Sequence, residues 1–476
     1  MTASRPLPKG FRVVLDPETR VLNGGRLIIG GQPRRVLRLS AAGAAALAAL
    51  QVGPVGTVAE GKLARRLVSA GVAHPRPPRG TFAGRAVVIV PVRDRADELD
   101  RCLSSLGHAH AVIVVDDGST DRAAVAKVVA HHGARLLERP QNGGPAAARN
   151  SGLRAVDRAD IVAFLDSDCV APPDWLDQLL PHFADRTVAA VAPRVMPSPA
   201  ARSTTLTRYA ALRSPLDLGP REALVQPGTR VSYVPTAALV VRSDAMVGGW
   251  FDESLRYGED VDLIWRLIAT DRQVRYDPTV VVHHAEPETW PAFLGRRFRY
   301  GTSAGPLSRR HPTRLAPMVL SPWPSAVTGL LLARRPTIGG LVAVGATIHL
   351  ARRLHDSGVP GSAAVSMTAE AVTATALGVG RAVTQLALPA ALIASTAVRG
   401  HRADRLATLA ALVIAPALRD WFSLRPPLDP VRWSLAAIAD DIAYGAGVWR
   451  GAVSARTVAP LLPKTSHRLK RGRGET

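Results

Sequence analysis

Cysteine is nearly absent: Cys102 and Cys169 are the only two in 476 residues, too few for a disulfide framework. Aromatic residues supply only 5% of the chain, and no basic stretch alternates with them. A stacking groove for single-stranded nucleic acid needs that alternation, so no nucleic-acid partner is expected. The opening MTASRPLPKGFRVV lacks the apolar core of a secretory signal, which points to a cytoplasmic catalytic part. Acidic residues are scarce beside basic ones, 38 against 60, and the formal net charge is +22, carried overwhelmingly by arginine. Such a surface attracts an anionic membrane or a polyphosphate substrate.

The apolar content of 47% excludes a wholly disordered chain, and 476 residues suggest two or three domains. Residues 1–78 read as a small winged-helix-like domain. FRVVLDP and GRLIIGG are candidate paired strands, VLRLS follows at 36–40, and helical patterns occupy 41–51 and 57–71. Ser40 is placed to cap the first helix. With no cluster of carboxylates or histidines, this domain suits binding of a peptide or protein partner. HPRPPRG at 74–80 reads as a stiff connector.

Residues 82–312 alternate strand and helix, as a mostly parallel α/β sheet does. Two strand patterns, VIVVDDGST at 112–120 and IVAFLDSDC at 161–169, are apolar runs that stop in paired carboxylates. Buried parallel strands read this way, and ligands of open α/β sheets bind beyond the carboxyl ends of their strands. Asp116, Asp117, Asp166 and Asp168 are therefore expected at one rim. So much negative charge needs a compensating cation or ligand donors, which suggests Mg²⁺ or Mn²⁺ shared with a diphosphate. Asp168 is the direct ligand, while Asp166 either ligates or accepts from a ribose.

Other residues join the same reading. PVRDR at 91–95 brings Arg93 and Asp94 to the cleft, and NGGPAAARN at 142–150 directs Arg149 at nucleotide or phosphate. That loop has neither the Walker lysine nor the dinucleotide glycine spacing. GED at 258–260 opens a helix and supplies Asp260 as general base, with Glu259 orienting the acceptor. His283 and His284 end the strand VRYDPTVVVHH; adjacent side chains point opposite ways, so one of them completes the metal shell. Arg296, Arg297 and Arg299 are read as a diphosphate clamp, and Trp250, Trp265 and Tyr300 as a platform for a sugar. The acceptor channel is expected along 231–260.

Together, PVRDR, VVDDGST, NGGPAAARN, AFLDSD and GED resemble the family 2 glycosyltransferases with the GT-A fold over residues 85–300. The resemblance implies a nucleotide-diphosphate-sugar transferase core and inverting transfer. Asp117 would contact the nucleotide, Asp168 and Asp166 would manage the metal diphosphate, and Asp260 would be the base. Processive cellulose-synthase relatives carry Gln-x-x-Arg-Trp; here Arg296-Arg-Phe-Arg299-Tyr300 stands instead, a departure that counts against processive synthesis. The whole length, including IADDIAYGAGVWRGA at 437–451, is also similar to the branch of the family serving mycofactocin biosynthesis in actinobacteria. That likeness implies β-1,4-linked glucose, from a donor such as UDP-glucose, added to a peptide-derived small-molecule redox cofactor. Acceptor recognition would then fall to residues 1–78. Alternatives are a cell-envelope lipid or polysaccharide acceptor, a sugar-phosphate nucleotidyltransferase, or a non-catalytic membrane-bound peptide scaffold. The lack of a Gly-rich, Lys-containing loop opposes the second, and the intact DSD and GED oppose the third.

Residues 313–476 read as helical and apolar, with a basic tail KTSHRLKRGR at 464–473. The segments 315–333, 336–351, 382–398 and 406–418 lie at or below the length of about 17–20 apolar residues that spans a bilayer. Shallow membrane helices, true spans and buried soluble helices stay open. A cell-membrane location with the catalytic domain on the cytoplasmic side is the expectation, and the tail is a candidate contact with anionic lipid.

Overall fold

The computed structural model describes residues 5–80, 82, 84–246, 249–355, 361–397 and 400–465; most of the 464–473 tail therefore lies outside the described residues. The chain divides into two compact units. The first comprises Met1–Pro199 and Arg213–Glu286, the second Ala200–Leu212 and Pro287–Thr476.

The first unit is built on a nine-stranded mixed sheet. Its main elements are β1 (Ala86–Val92), α1 (Ala96–Leu106), β2 (Ala111–Asp116), α2 (Arg122–His131), β3 (Arg135–Glu138), α3 (Pro145–Arg154), β4 (Ile161–Leu165), β5 (Val188–Pro197), β6 (Ala238–Arg242), α4 (Glu259–Ala269) and β7 (Gln273–His284). Spatial order runs β7-β5-β6-β4-β1-β2-β3, with short strands Cys169–Val170 and Ala223–Leu224 both paired to β7. β1 is parallel to β2 and β4, β2 to β3, and β5 to β7, whereas β6 runs antiparallel to β4 and β5. The α/β class read from the apolar runs is the one built. β4 is buried at every position and β1 at all but Pro91, because helices cover both faces of such strands. Val90, Leu99, Val114, Leu165, Trp175 and Phe183 belong to one core, each such side chain contributing about 1.5–3 kcal/mol by burial.

The N-terminal module packs short strands on two helices. Ser40 caps Ala41–Val52 by accepting from Gly43 N–H, and Thr57 and Glu60 form a reciprocal capping box on Val58–Ser69. Strand pairing differs from the sequence expectation. Leu27–Gly30 pairs with Arg20–Leu22 and Arg35–Arg38, while Arg12–Leu15 pairs with Ala73–Arg76. The start of the supposed connector is thus an edge strand; Pro75 is tolerated because an edge position leaves its missing donor without a ladder partner to fail. Arg65 Nη2 donates to Asp185 Oδ2 at 2.6 Å with both side chains buried, tying the module to the sheet.

The second unit is helical. Trp290–Thr302 and Pro430–Ser454 pack backbone to backbone: a Cβ added at Gly301 would lie 2.2 Å from the Tyr444 carbonyl oxygen, and one at Gly447 2.0 Å from that of Phe298. Buried Asp440 accepts from Tyr209 Oη at 3.0 Å and pairs with Arg297. Two of the apolar helices are longer than the sequence suggests, whereas the 315–333 segment is helical only over Pro322–Leu332. Gly361–Ala397 and Arg402–Leu424 are each long and apolar enough to cross a membrane. The 382–398 segment reads short because the Ala-, Thr- and Gly-rich run before it continues the same helical stretch with only modest hydrophobicity.

Candidate active site

Three parallel strands deliver their following loops to one edge of the sheet. Val92 of β1 pairs with Asp116 of β2, Ile89 pairs with Phe164 of β4, and Asp117 N–H donates to the Val92 carbonyl at 2.9 Å. Residues 93–95, 116–120 and 166–168 therefore leave together, as the two acidic strand ends suggest.

The first two loops are knotted to each other. Asp94, at φ +53°, donates its N–H to Ser119 Oγ at 2.9 Å and accepts from Thr120 N–H at 2.5 Å. Half-exposed Arg93 lies 3.4 Å from the Asp94 carboxylate. Asp116 is buried and accepts from Ser119 N–H and Oγ at 2.9 and 2.5 Å, so its carboxylate ties its own turn. Asp117 accepts from Arg139 Nε at 2.8 Å and from the N–H groups of Gly143 and Gly144 at 2.9 and 2.7 Å. The NGG segment is thus held by Asp117. Gly118 has φ +72° and a Cβ there would stand 2.8 Å from Asn142 N, so this crossing admits only glycine.

Arg149 on α3 joins the two acidic motifs. It donates to Asp166 Oδ1 at 2.6 Å and to Glu259 Oε1 at 2.9 Å, and its guanidinium carbon lies 5.6 Å from the Phe251 ring centroid. Burial opposes its charge, but Asp166 and Glu259 outweigh it and hold the proton more firmly than usual. The next residue, Asn150, grips the acceptor-side loop: its side chain donates to Phe251 O and Glu253 Oε1 and accepts from Phe251 N–H. Within that loop, residues 247 and 248 lie outside the described residues.

α4 begins at Gly258, whose φ of +84° turns the chain so that Glu259 and Asp260 occupy the first turn. Glu259 is buried, and burial together with the neighbouring Asp260 charge, against the pull of Arg149, raises its carboxyl to about 7. Asp260 keeps partial contact with solvent. Burial and, more weakly, Asp166 raise its affinity for a proton, while the Val261 N–H at 2.8 Å and Arg149 oppose the rise. Asp260 as base works only when ionised, so turnover should rise with pH along an acidic limb displaced above the ordinary carboxylate range near 4. A pH profile of kcat/KM checks this; a limb near pH 4 would contradict it.

The two adjacent histidines face different partners. His284 Nε2 lies 3.5 Å from Asp168 Oδ1, and its Nδ1 lies 3.8 Å from Glu286 Oε1. His283 instead places Nδ1 3.4 Å from the Pro197 carbonyl. Asp168 Oδ2 pairs with Arg95. Among the described residues no three His, Cys, Asp or Glu converge as a ready-made metal cage. A carboxylate beside an imidazole, with substrate and water oxygens in the remaining positions, suits Mn²⁺ better than Mg²⁺, which takes oxygen ligands.

Arg296 and Arg299 lie on Trp290–Thr302 in the second unit, with Arg296 stacked 5.9 Å over Phe293. Arg297 is committed to Asp440 rather than to a clamp. Trp265 is buried with its Nε1 donating to Ser232 O at 2.9 Å, and so serves packing. Arg95, Arg139 and Glu286 escape the sequence reading. Arg95 stands inside the quoted PVRDR motif, and Glu286 follows His284 by two residues, the spacing that returns a side chain to the same face of an extended chain.

The profile of the Glycosyl transferase family 2 matches residues 87–246. The chain is 41% identical over 479 residues to a pre-mycofactocin glycosyltransferase of Mycobacterium tuberculosis (strain CDC 1551 / Oshkosh), with 98% of this chain and 99% of that protein aligned. Similarity to the glycosyltransferase AglE of Haloferax volcanii is 28% identity, over 45% of this chain and 71% of that one. Among solved structures, a Pyrobaculum calidifontis mannosyltransferase in complex with GDP-Man and Mn²⁺ is 20% identical over 76% of this chain and 88% of that one, with a TM-score of 0.42.

Proposed function

This chain belongs to glycosyl transferase family 2, and from that membership we propose that it moves glucose, with inversion and in β-1,4 linkage, from a nucleotide-diphosphate sugar such as UDP-glucose. The proposed acceptor is the peptide-derived mycofactocin redox cofactor or the oligosaccharide growing on it, as suggested by full-length likeness to a pre-mycofactocin glycosyltransferase. The observation that carries the mechanism is Arg149, which holds the DSD and GED carboxylates in one cleft.

Asp260 takes the proton of an acceptor hydroxyl, which attacks the anomeric carbon on the face opposite the departing nucleotide diphosphate. Glu259, fixed by Arg149, orients the base and its helix start. Asp168 and His284 would hold a divalent cation, which supplies charge stabilisation for the leaving diphosphate. Asp117 organises the nucleotide side through the Gly143–Gly144 backbone, with Arg93 and Asp94 at the same rim. Arg296 and Arg299 remain proposed diphosphate contacts, Asp166 a proposed donor contact, and residues 1–78 a proposed acceptor-recognition module. No protein nucleophile is needed for inversion. The apolar stretches Gly361–Ala397 and Arg402–Leu424 have only 11% and 17% of their most apolar windows buried. Lipid is the cover we assign them, with the catalytic unit facing the cytoplasm.

A panel of nucleotide sugars, with product masses read in the presence and absence of Mg²⁺ or Mn²⁺, tests the reading. A hexose mass added to the peptide-derived acceptor from UDP-glucose, dependent on the cation, is expected. Transfer from another donor alone would remove the glucose assignment, and unchanged transfer with chelator would remove the cation.

A further inference from the structure

Asp168 differs from its acidic neighbours in what holds it. Asp94 accepts from the Thr120 N–H of the neighbouring loop, Asp116 from its own turn, Asp117 from Arg139 and two backbone N–H groups, and Asp166 from buried Arg149. Asp168, with its side chain only 13% exposed, takes its ion pair from Arg95, whose side chain is 53% exposed. Its second oxygen faces His284 Nε2 at 3.5 Å.

A guanidinium and a divalent cation on one carboxylate repel each other, so the two compete for Asp168. Arg95 is well placed to yield. It precedes the first residue of α1, makes no side-chain cap bond there, and its long stem reaches into solvent. The planar fork of arginine also matches a phosphate as well as it matches a carboxylate. A cation arriving alone must break the ion pair; a cation arriving with a nucleoside diphosphate brings the anionic groups that give Arg95 a new partner.

We propose that Arg95 is a positioning residue that couples cation binding to donor binding, competing with the cation for Asp168 and passing to the donor's diphosphate when both are bound. This rests on the assignment of the cation to Asp168 and His284. Because such coupling is reciprocal, it is measurable from either ligand.

The experiment is Mn²⁺ binding by electron paramagnetic resonance to the full-length protein, with and without UDP, for wild type, Arg95→Ala and Arg95→Lys. Arg95→Ala should bind Mn²⁺ alone about tenfold more tightly than wild type, and UDP should then improve Mn²⁺ affinity about tenfold less. Arg95→Lys, which keeps the charge but loses the fork, should bind Mn²⁺ alone about as wild type does and show a UDP effect between those of wild type and Arg95→Ala. Equal Mn²⁺ affinity and equal UDP enhancement in wild type and Arg95→Ala would overturn the proposal while leaving the cation site intact. Arg95→Lys behaving like Arg95→Ala would also overturn it, since charge would not be the cause. Absence of Mn²⁺ binding in every protein, with or without UDP, would remove the cation assignment and this inference together.

Discussion

Asp260→Asn is expected to lower the transfer rate by roughly 10²–10⁴-fold, the usual contribution of a positioned general base, while donor affinity stays near that of wild type. Asn keeps the size of the side chain and can still accept from Val261 N–H, the 2.8 Å bond that fixes Asp260 in the first turn of α4. It cannot take a proton at neutral pH. The split between binding and turnover separates a base from a residue that only shapes the loop. Donor titration together with single-turnover transfer reads it. Near-normal turnover would remove Asp260 from this role, and parallel loss of donor affinity would make it a binding residue instead.

The largest stability effect is expected at Arg149. Arg149→Met should destabilise the first unit by about 3–5 kcal/mol, because removing one partner leaves uncompensated carboxylates in a largely buried place. Those carboxylates are Asp166 and Glu259, at 2.6 and 2.9 Å from the guanidinium. Without the cation, Glu259 should be neutral at pH 7, since burial and Asp260 already raise it to about 7 against the opposition of Arg149. Taking up that proton costs free energy at pH 7, because the unfolded chain ionises Glu259 at its ordinary value near 4.5, so adding Glu259→Gln to Arg149→Met should recover much of the loss at pH 7 and little at pH 4. Urea unfolding of the single and double variants at both pH values measures this. A loss below 1 kcal/mol for Arg149→Met would mean that water enters and solvates the carboxylates freely.

Much of this arrangement is legible in the amino-acid sequence. Runs such as VIVV and IVAFL are read correctly because a strand buried on both faces tolerates almost nothing polar, and the polar residue that ends each run marks the rim. The grouping of the DSD and VVDDGST motifs follows from strand direction, whereas GED joins them through Arg149. What is not legible depends on partners chosen across long separations. Asp117 looks like a nucleotide contact with free lone pairs, yet Arg139, 22 residues away, and the Gly143–Gly144 backbone use them. Arg95 is passed over for Arg93 because nothing local says which arginine turns toward Asp168, 73 residues on. The strand Ala73–Arg76 hides behind Pro75 and the prolines that follow it, since edge pairing to Arg12–Leu15 requires knowing which side of the strand faces a partner. Between His283 and His284 only the actual pleat decides, and it sets His284 beside Asp168.

Where Gly301 and Gly447 let two helices of the second unit touch main chain to main chain, the separation is set by peptide geometry, not by side-chain shape. Rotamer changes, which let ordinary interfaces relax around a substitution, have nothing to adjust there. Randomising the outward positions of both helices should therefore preserve their spacing as long as these glycines are retained. A single added methyl at either one would force the helices apart along the seam. That makes the pair a fixed gauge on which a redesigned second unit can be built.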